Sequence, residues 1–215
     1  MPSKELLQQL PNIEALKRLT QSLAVLDTIL SPRWEYRYYS FNAKWSEGET
    51  MASMTNGSGD EYFILFNKAG VAIKGFDHES AMSPWCNEEH RVWPGVLTRV
   101  PSEFGSFLSE PAFSMKDTTF CIWRRIDDQE WQTGEIDYPE GKDPDGSIWL
   151  LSILIGGAKI YKTYASEYFE KEISLAAIEH VYQHRKIDLE LLQSLNPEAS
   201  FDEINNALME IGYPR

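Results

Sequence analysis

The stretch Gly75-Phe76-Asp77-His78-Glu79-Ser80 sets an imidazole between two carboxylates where an apolar run ends. Histidine titrates near neutrality, so this group has the types needed for a general base or a metal ligand. Farther along, Cys86 and His90 stand in a C-x3-H spacing with Glu88 and Glu89 between them. With Asp77 and His78 they complete a four-ligand zinc set on paper. Structural zinc sites, however, draw on C-x2-C pairs, and catalytic ones on H-E-x-x-H helices; neither occurs here. The expectation is therefore no metal and no cofactor. Asp77, His78 and Glu79 stand as an alternative catalytic group whose simpler role is to hydrogen-bond a turn.

The remaining candidates have structural readings of their own. Asn56-Gly57-Ser58-Gly59-Asp60 has the glycine content of a phosphate cradle but lacks the Lys-Ser/Thr of one, and a strand follows it, so a hairpin turn is expected. Asp143-Pro144-Asp145-Gly146-Ser147 opens like a calcium loop, yet its glycine comes early and Leu154 stands where the closing glutamate belongs. A helix start explains it, with acidic groups at the positive end of the peptide dipoles. Arg124 and Arg125 sit on a strand among carboxylates and are expected to pair with Asp127, Asp128 or Glu130 on the neighbouring strand. Cys121 reads as a small buried hydrophobe without a basic neighbour on its side of a strand. His180 and His184, four apart, read as a helical surface face. No G-x-S-x-G nucleophile motif is present. Of the seven tryptophans, Trp85 and Trp93 lie in irregular segments and are candidate exposed anchors for a partner.

The elements that must position these groups are legible from periodicity. Ile13, Leu16, Leu19, Leu23, Leu26 and Leu30 recur at three and four, predicting a helix over 12–30 with Asn12 as cap and Ser31-Pro32 as stop. Alternation predicts a strand over 33–41. Further strands are expected at 49–55, 61–66, 71–76, 118–124 and 130–136, most joined by tight turns, which implies an antiparallel sheet. Ile148 to Ile155 is either a helix ended by Gly156-Gly157 or a buried strand; periodicity does not decide. Helices follow from Ser174, from Asp188, and from the capping box Ser200-Phe201-Asp202-Glu203 to Gly212. The fold class is α+β in a single domain over 1–215: an N-terminal helix at 12–30, a β-rich middle at 33–137 and a helical region at 147–213.

Composition bounds the partners. Twenty basic against thirty-three acidic side chains give a formal net charge of −13, which argues against nonspecific nucleic-acid binding and anionic lipid surfaces. Residues 101–146 hold four basic and eleven acidic side chains, more than half of that net charge on about a fifth of the chain. Two cysteines are too few for a disulfide scaffold. No apolar run is long enough to span a bilayer, and Met1-Pro2-Ser3-Lys4-Glu5 lacks the features of an export signal, so a cytoplasmic location is expected.

Several phrases carry a resemblance: Asn56-Gly57-Ser58-Gly59-Asp60, Gly75-Phe76-Asp77-His78-Glu79-Ser80, Phe120-Cys121-Ile122-Trp123-Arg124, Asp145-Gly146-Ser147 and Ile211-Gly212-Tyr213-Pro214. Over roughly residues 50–214 the chain resembles a group of uncharacterised bacterial cytoplasmic proteins. In size, acidity and layout it is similar to toxin-immunity proteins, the SUKH-type superfamily included, though the motifs of that superfamily are not found here. The resemblance implies a binding role and supplies no catalytic residue. The expected function is therefore non-catalytic: an immunity-like protein that neutralises or regulates a protein partner, such as a basic toxin, through an acidic surface. Asp127, Asp128 and Asp137 with Trp85 and Trp93 are the expected contacts; a small enzyme or metal-dependent hydrolase built on Asp77, His78 and Glu79 is the alternative.

Overall fold

The computed structural model describes residues 4–86 and 88–214, so the reading of Met1-Pro2-Ser3 as lacking an export signal lies outside it. After a short helix α1 (Lys4–Gln9), α2 spans Ile13–Leu30. Asn12 opens α2 as its side chain accepts the Ala15 amide at 2.9 Å, and Ser31 closes it with its own amide on the Asp27 carbonyl. The predicted apolar stripe faces inward: Ile13 and Leu19 are half-buried against the core, and Leu16, Leu23, Leu26 and Leu30 are buried. Each such side chain contributes about 2 kcal/mol over remaining exposed.

The segment after α2 departs from its alternation. Trp34–Tyr36 forms one tight 3-10 turn, with Trp34 65% and Tyr36 50% exposed, and strand β1 begins only at Tyr39, running to Ser46. The cause lies in α2. The buried Asp27 carboxylate accepts the amides of Tyr38 and Tyr39, while the Arg37 guanidinium binds the carbonyls of Ser31 and Pro32. These bonds hold the chain against the helix end until residue 38, before any ladder can start.

From there the sheet is a meander. Strands β2 (Glu49–Thr55), β3 (Glu61–Asn67) and β4 (Gly70–Phe76) follow through short turns. After a long irregular excursion holding the short helix α3 (Gly105–Ser109) come β5 (Phe120–Arg125) and β6 (Gln132–Thr133). All six pair antiparallel in sequence order. The strand expected over 130–136 is thus reduced to two residues. Gly134 abuts Gly95 so closely that a Cβ on it would lie 1.9 Å from the Gly95 carbonyl oxygen, so the chain leaves the sheet there to pack on the excursion.

Both faces of the sheet are covered, which sets its side-chain alternation. Tyr62, Ile64, Phe66, Phe120 and Ile122 point to the helical side; Leu65, Cys121 and Trp123 meet Phe104, Phe107 and Phe113 of the excursion. On the helical side, the run from Ile148 is helix, not strand: α4 (Ser147–Leu150) leads into α5 (Ser152–Tyr168). Gly156-Gly157 ends its first helical stretch, as the sequence suggests. The backbone breaks at Gly157, in the left-handed φ region (φ 69°, ψ −171°), and the helix resumes for three more turns. Helices α6 (Leu175–Tyr182), α7 (Leu189–Leu195) and α8 (Phe201–Ile211) begin at the predicted caps Ser174, Asp188 and Ser200, and α8 closes at Gly212. No described helix is long and apolar enough to cross a membrane.

Candidate functional site

Where β4 ends, the chain places Asp77 and His78 beside Asp60, the last residue of the Asn56-Gly57-Ser58-Gly59-Asp60 turn. Pairing of β3 with β4 sets Glu61 opposite Phe76, so the next position outward brings Asp60 to Asp77. Asp60 Oδ1 lies 2.6 Å from His78 Nδ1 and also accepts the His78 amide at 3.0 Å; Asp60 Oδ2 accepts the Asn56 side-chain amide. The imidazole is therefore held through Nδ1, and its pKa is raised above 6.5 chiefly by the Asp60 hydrogen bond. Asp60 is lowered despite a burial that opposes it, through the His78 amide, the His78 ring and Asn56. Asp77 is buried and already engaged: Oδ1 accepts the Glu79 amide and Oδ2 the Trp149 indole N–H. Glu79 extends into solvent, its carboxylate no nearer than 3.9 Å to His78 Nε2.

Asp60, Asp77 and His78 are the one group of three potential metal ligands that converges among the described residues, with ligand atoms within 4.8 Å of one another. Its donor set argues for an oriented acid–base dyad more than for a metal cage, because Asp60 and Asp77 already accept N–H donors at every carboxylate oxygen. Cys86 and His90 do not join it. Cys86 Sγ donates to the Ser80 carbonyl, and His90 Nε2 binds Asp117 at 3.0 Å. Next door, Asp145 accepts both the amide and hydroxyl of Ser147 through Oδ1, while its Oδ2 is buried with no partner among the described residues. Burial pushes its pKa up to about 6. Asp143 accepts the amides of Ile148 and Trp149, so this acidic pair starts α4 as the sequence suggests.

The acidic segment divides into structural and free groups. Asp128 accepts the Arg125 amide and its guanidinium at 3.1 Å, and its carbonyl accepts Arg124 Nε. Asp127 and Asp137 are exposed, as are Glu103, Glu130, Glu135 and Glu140. Glu130, Glu135 and Asp137 line an open cleft of about 960 Å3 between α1 and the segment around β6; Arg124 is its one basic lining residue among those described. Exposed Glu135 also meets Arg99 at 2.6 Å. Ile126, beside Asp127, is a 64% exposed hydrophobe that the sequence reading passed over.

Trp85 projects, 65% exposed, with its ring edge against His90. Trp93 is half-buried against the excursion core and donates its indole N–H to the Asp137 carbonyl. Cys121 is buried and its thiol is pushed up to about 12 by desolvation. A basic residue does face it: Lys74 stands opposite on β4, fully buried and paired with Glu61 at 2.6 Å. His180 and His184 do not share a helical face, since α6 ends at Tyr182; their Nε2 atoms bind the Lys186 and Arg18 carbonyls. No family model, curated protein or solved structure matches the chain.

Proposed function

We propose that this is a non-catalytic binding protein that engages a basic protein partner, in the manner of immunity proteins that neutralise a toxin. The observation that carries the reading is the cluster of exposed carboxylates on and around the β6 cleft, beside the exposed Ile126. Like charges held together cost stability through repulsion, and complementary charge speeds encounter with a cationic surface. Ile126 and Trp85 offer the apolar area that slows dissociation once contact is made. The reading places the protein in the cytoplasm, in keeping with its two free cysteines.

The test is kinetic. Asp127→Asn, Glu130→Gln and Asp137→Asn together remove three exposed charges while leaving Asp128 in its bond to Arg125. With a partner recovered at low salt and then purified, the triple variant is expected to associate about tenfold more slowly at low ionic strength and with a flatter salt dependence. Unchanged association at low salt would sink the proposal.

A second reading follows from the convergence of Asp60, Asp77 and His78. In it, Asp60 orients His78 as a general base and Nε2 takes the proton of a bound nucleophile, as in a small hydrolase. Activity that follows a single ionisation above pH 6.5 and disappears in His78→Ala would favour this reading over the first.

A further inference from the structure

Beside α5 lies a second cleft, of about 630 Å3, within the size range of small-molecule sites. Its walls include the rings of Tyr38, Tyr164, Tyr168 and Trp149, and Glu167 is the one charged residue among the described residues lining it. The rings are fixed in place. Tyr38 and Tyr168 centroids are 4.4 Å apart, Tyr164 and Tyr168 stack at 8°, and the Tyr168 hydroxyl donates to the Tyr36 carbonyl. Trp149 is 46% exposed, with its indole N–H anchored on Asp77. Elsewhere the protein places its own cations over exposed rings, Arg37 over Trp34 and Arg33 over Tyr36. Among the described residues no such cation faces the rings of this cleft.

We infer that this cleft binds an organic cation of the quaternary ammonium class. Aromatic faces attract a cation through their quadrupole, most strongly where water is displaced, and Glu167 adds the complementary charge. A fully methylated ammonium suits the site better than a primary amine. The cleft's remaining wall includes Met54, Leu150, Ile153 and Ile160 beside Asn56, Ser152 and Thr163. The side chains of these last three are already bonded, to Asp60 and Ser58, to the Trp149 carbonyl and to the Lys159 carbonyl. A ligand's N–H donors compete with these bonds, whereas methyl groups ask for no acceptor. Fixed rings also reduce the ordering that binding costs. The inference is independent of the acidic face around β6.

Calorimetric titration with choline, with its neutral tert-butyl isostere 3,3-dimethylbutan-1-ol, and with a trimethyllysine peptide tests it. Saturable binding of a cation, at least about fivefold tighter than the isostere, is expected. Preference for choline points to a free small cation, and preference for the peptide to a methylated side chain. Trp149→Ala is expected to weaken binding by about tenfold, and the exposed Glu167→Gln by about threefold without disturbing the fold. Equal binding of the isostere, or no saturation by either cation to about 10 mM, would overturn the assignment. Should Trp149→Ala lose its far-ultraviolet spectrum, Glu167→Gln and the isostere comparison still decide.

Discussion

Asp60 and Asp27 are carboxylates shifted in opposite directions, and each makes a titration predictable. Asp60 holds the His78 ring, so Asp60→Asn is expected to bring the His78 pKa back toward 6.5, readable from its imidazole proton shifts. With its pKa raised, His78 stabilises the fold fully below pH 6.5, and that contribution fades as pH rises through the higher folded value. An unchanged His78 titration in the variant would show that Asp60 does not set it. Asp27 runs the other way. It is fully buried, and desolvation raises it to about 6 against the bonds from Tyr39, Tyr161 and Tyr38. Between pH 3.8 and about 6 the folded chain keeps a proton that the unfolded chain has released, so Asp27 makes stability fall as pH rises through that window. Asp27→Asn removes its share of the slope, while Asp145, also raised to about 6, keeps its own. Relative to the wild type it is expected to gain about 2 kcal/mol between pH 4 and pH 7 in urea denaturation, whatever constant cost the substitution carries. Parallel stability curves would contradict the assignment.

At the level of elements, turns and caps were legible wherever short-range chemistry dictates them. Asn12, Ser174, Asp188 and Ser200 announce helix starts because a side-chain oxygen three residues before an amide needs no distant partner. Long-range demands were not legible. The 33–41 alternation gave way to a turn because Asp27 and Arg37 claim the backbone there, and 130–136 lost most of its strand to a glycine–glycine contact with a segment nearly forty residues away. The stop at Gly156-Gly157 was legible because glycine alone takes such a backbone angle freely; the second stretch of α5 beyond the break rests on its packing against α6. For the candidate site, Asp77 and His78 stood out as a motif while Asp60 did not, because it sits in a turn that explains itself locally. A signal existed nonetheless. The turn Lys68-Ala69 pairs Asn67 with Gly70, and counting outward along that register brings 60 opposite 77. The same turn carries a prediction. Gly70 lies at φ 149°, where an added Cβ would meet the Arg124 carbonyl oxygen at 2.2 Å. Gly70→Ala is expected to cost about 3 kcal/mol in urea denaturation by parting β4 from β5, and a cost under about 1 kcal/mol would show that the β5 backbone yields freely.

Across the whole molecule, the two proposals concern different places and different cations: a basic protein surface at the acidic face and a methylated ammonium at the aromatic cleft. Their tests are accordingly independent: neutralising Asp127, Glu130 and Asp137 is expected to leave choline binding unchanged, and Glu167→Gln to leave partner association unchanged. The sheet beneath both is a meander whose neighbours in space are neighbours in sequence, so each strand finds its partner soon after it exists. The helical face is assembled on a different schedule. Helix α2 comes early, yet part of what covers it comes late: Gln21 donates to the Ile211 carbonyl, Ser22 to the Val181 carbonyl, and the Asn196 side chain to the Ile29 carbonyl. The sheet side of α2 is met early by β1, but on a ribosome adding about 5–20 residues per second its side toward α6 and α8 waits on the order of ten seconds or more for its cover. Throughout that interval the nascent chain presents an amphipathic helix with no native partner on one side, the type of surface that chaperones hold and that neighbouring chains stick to. Synthesis halted before α8 would leave such a chain permanently in that condition.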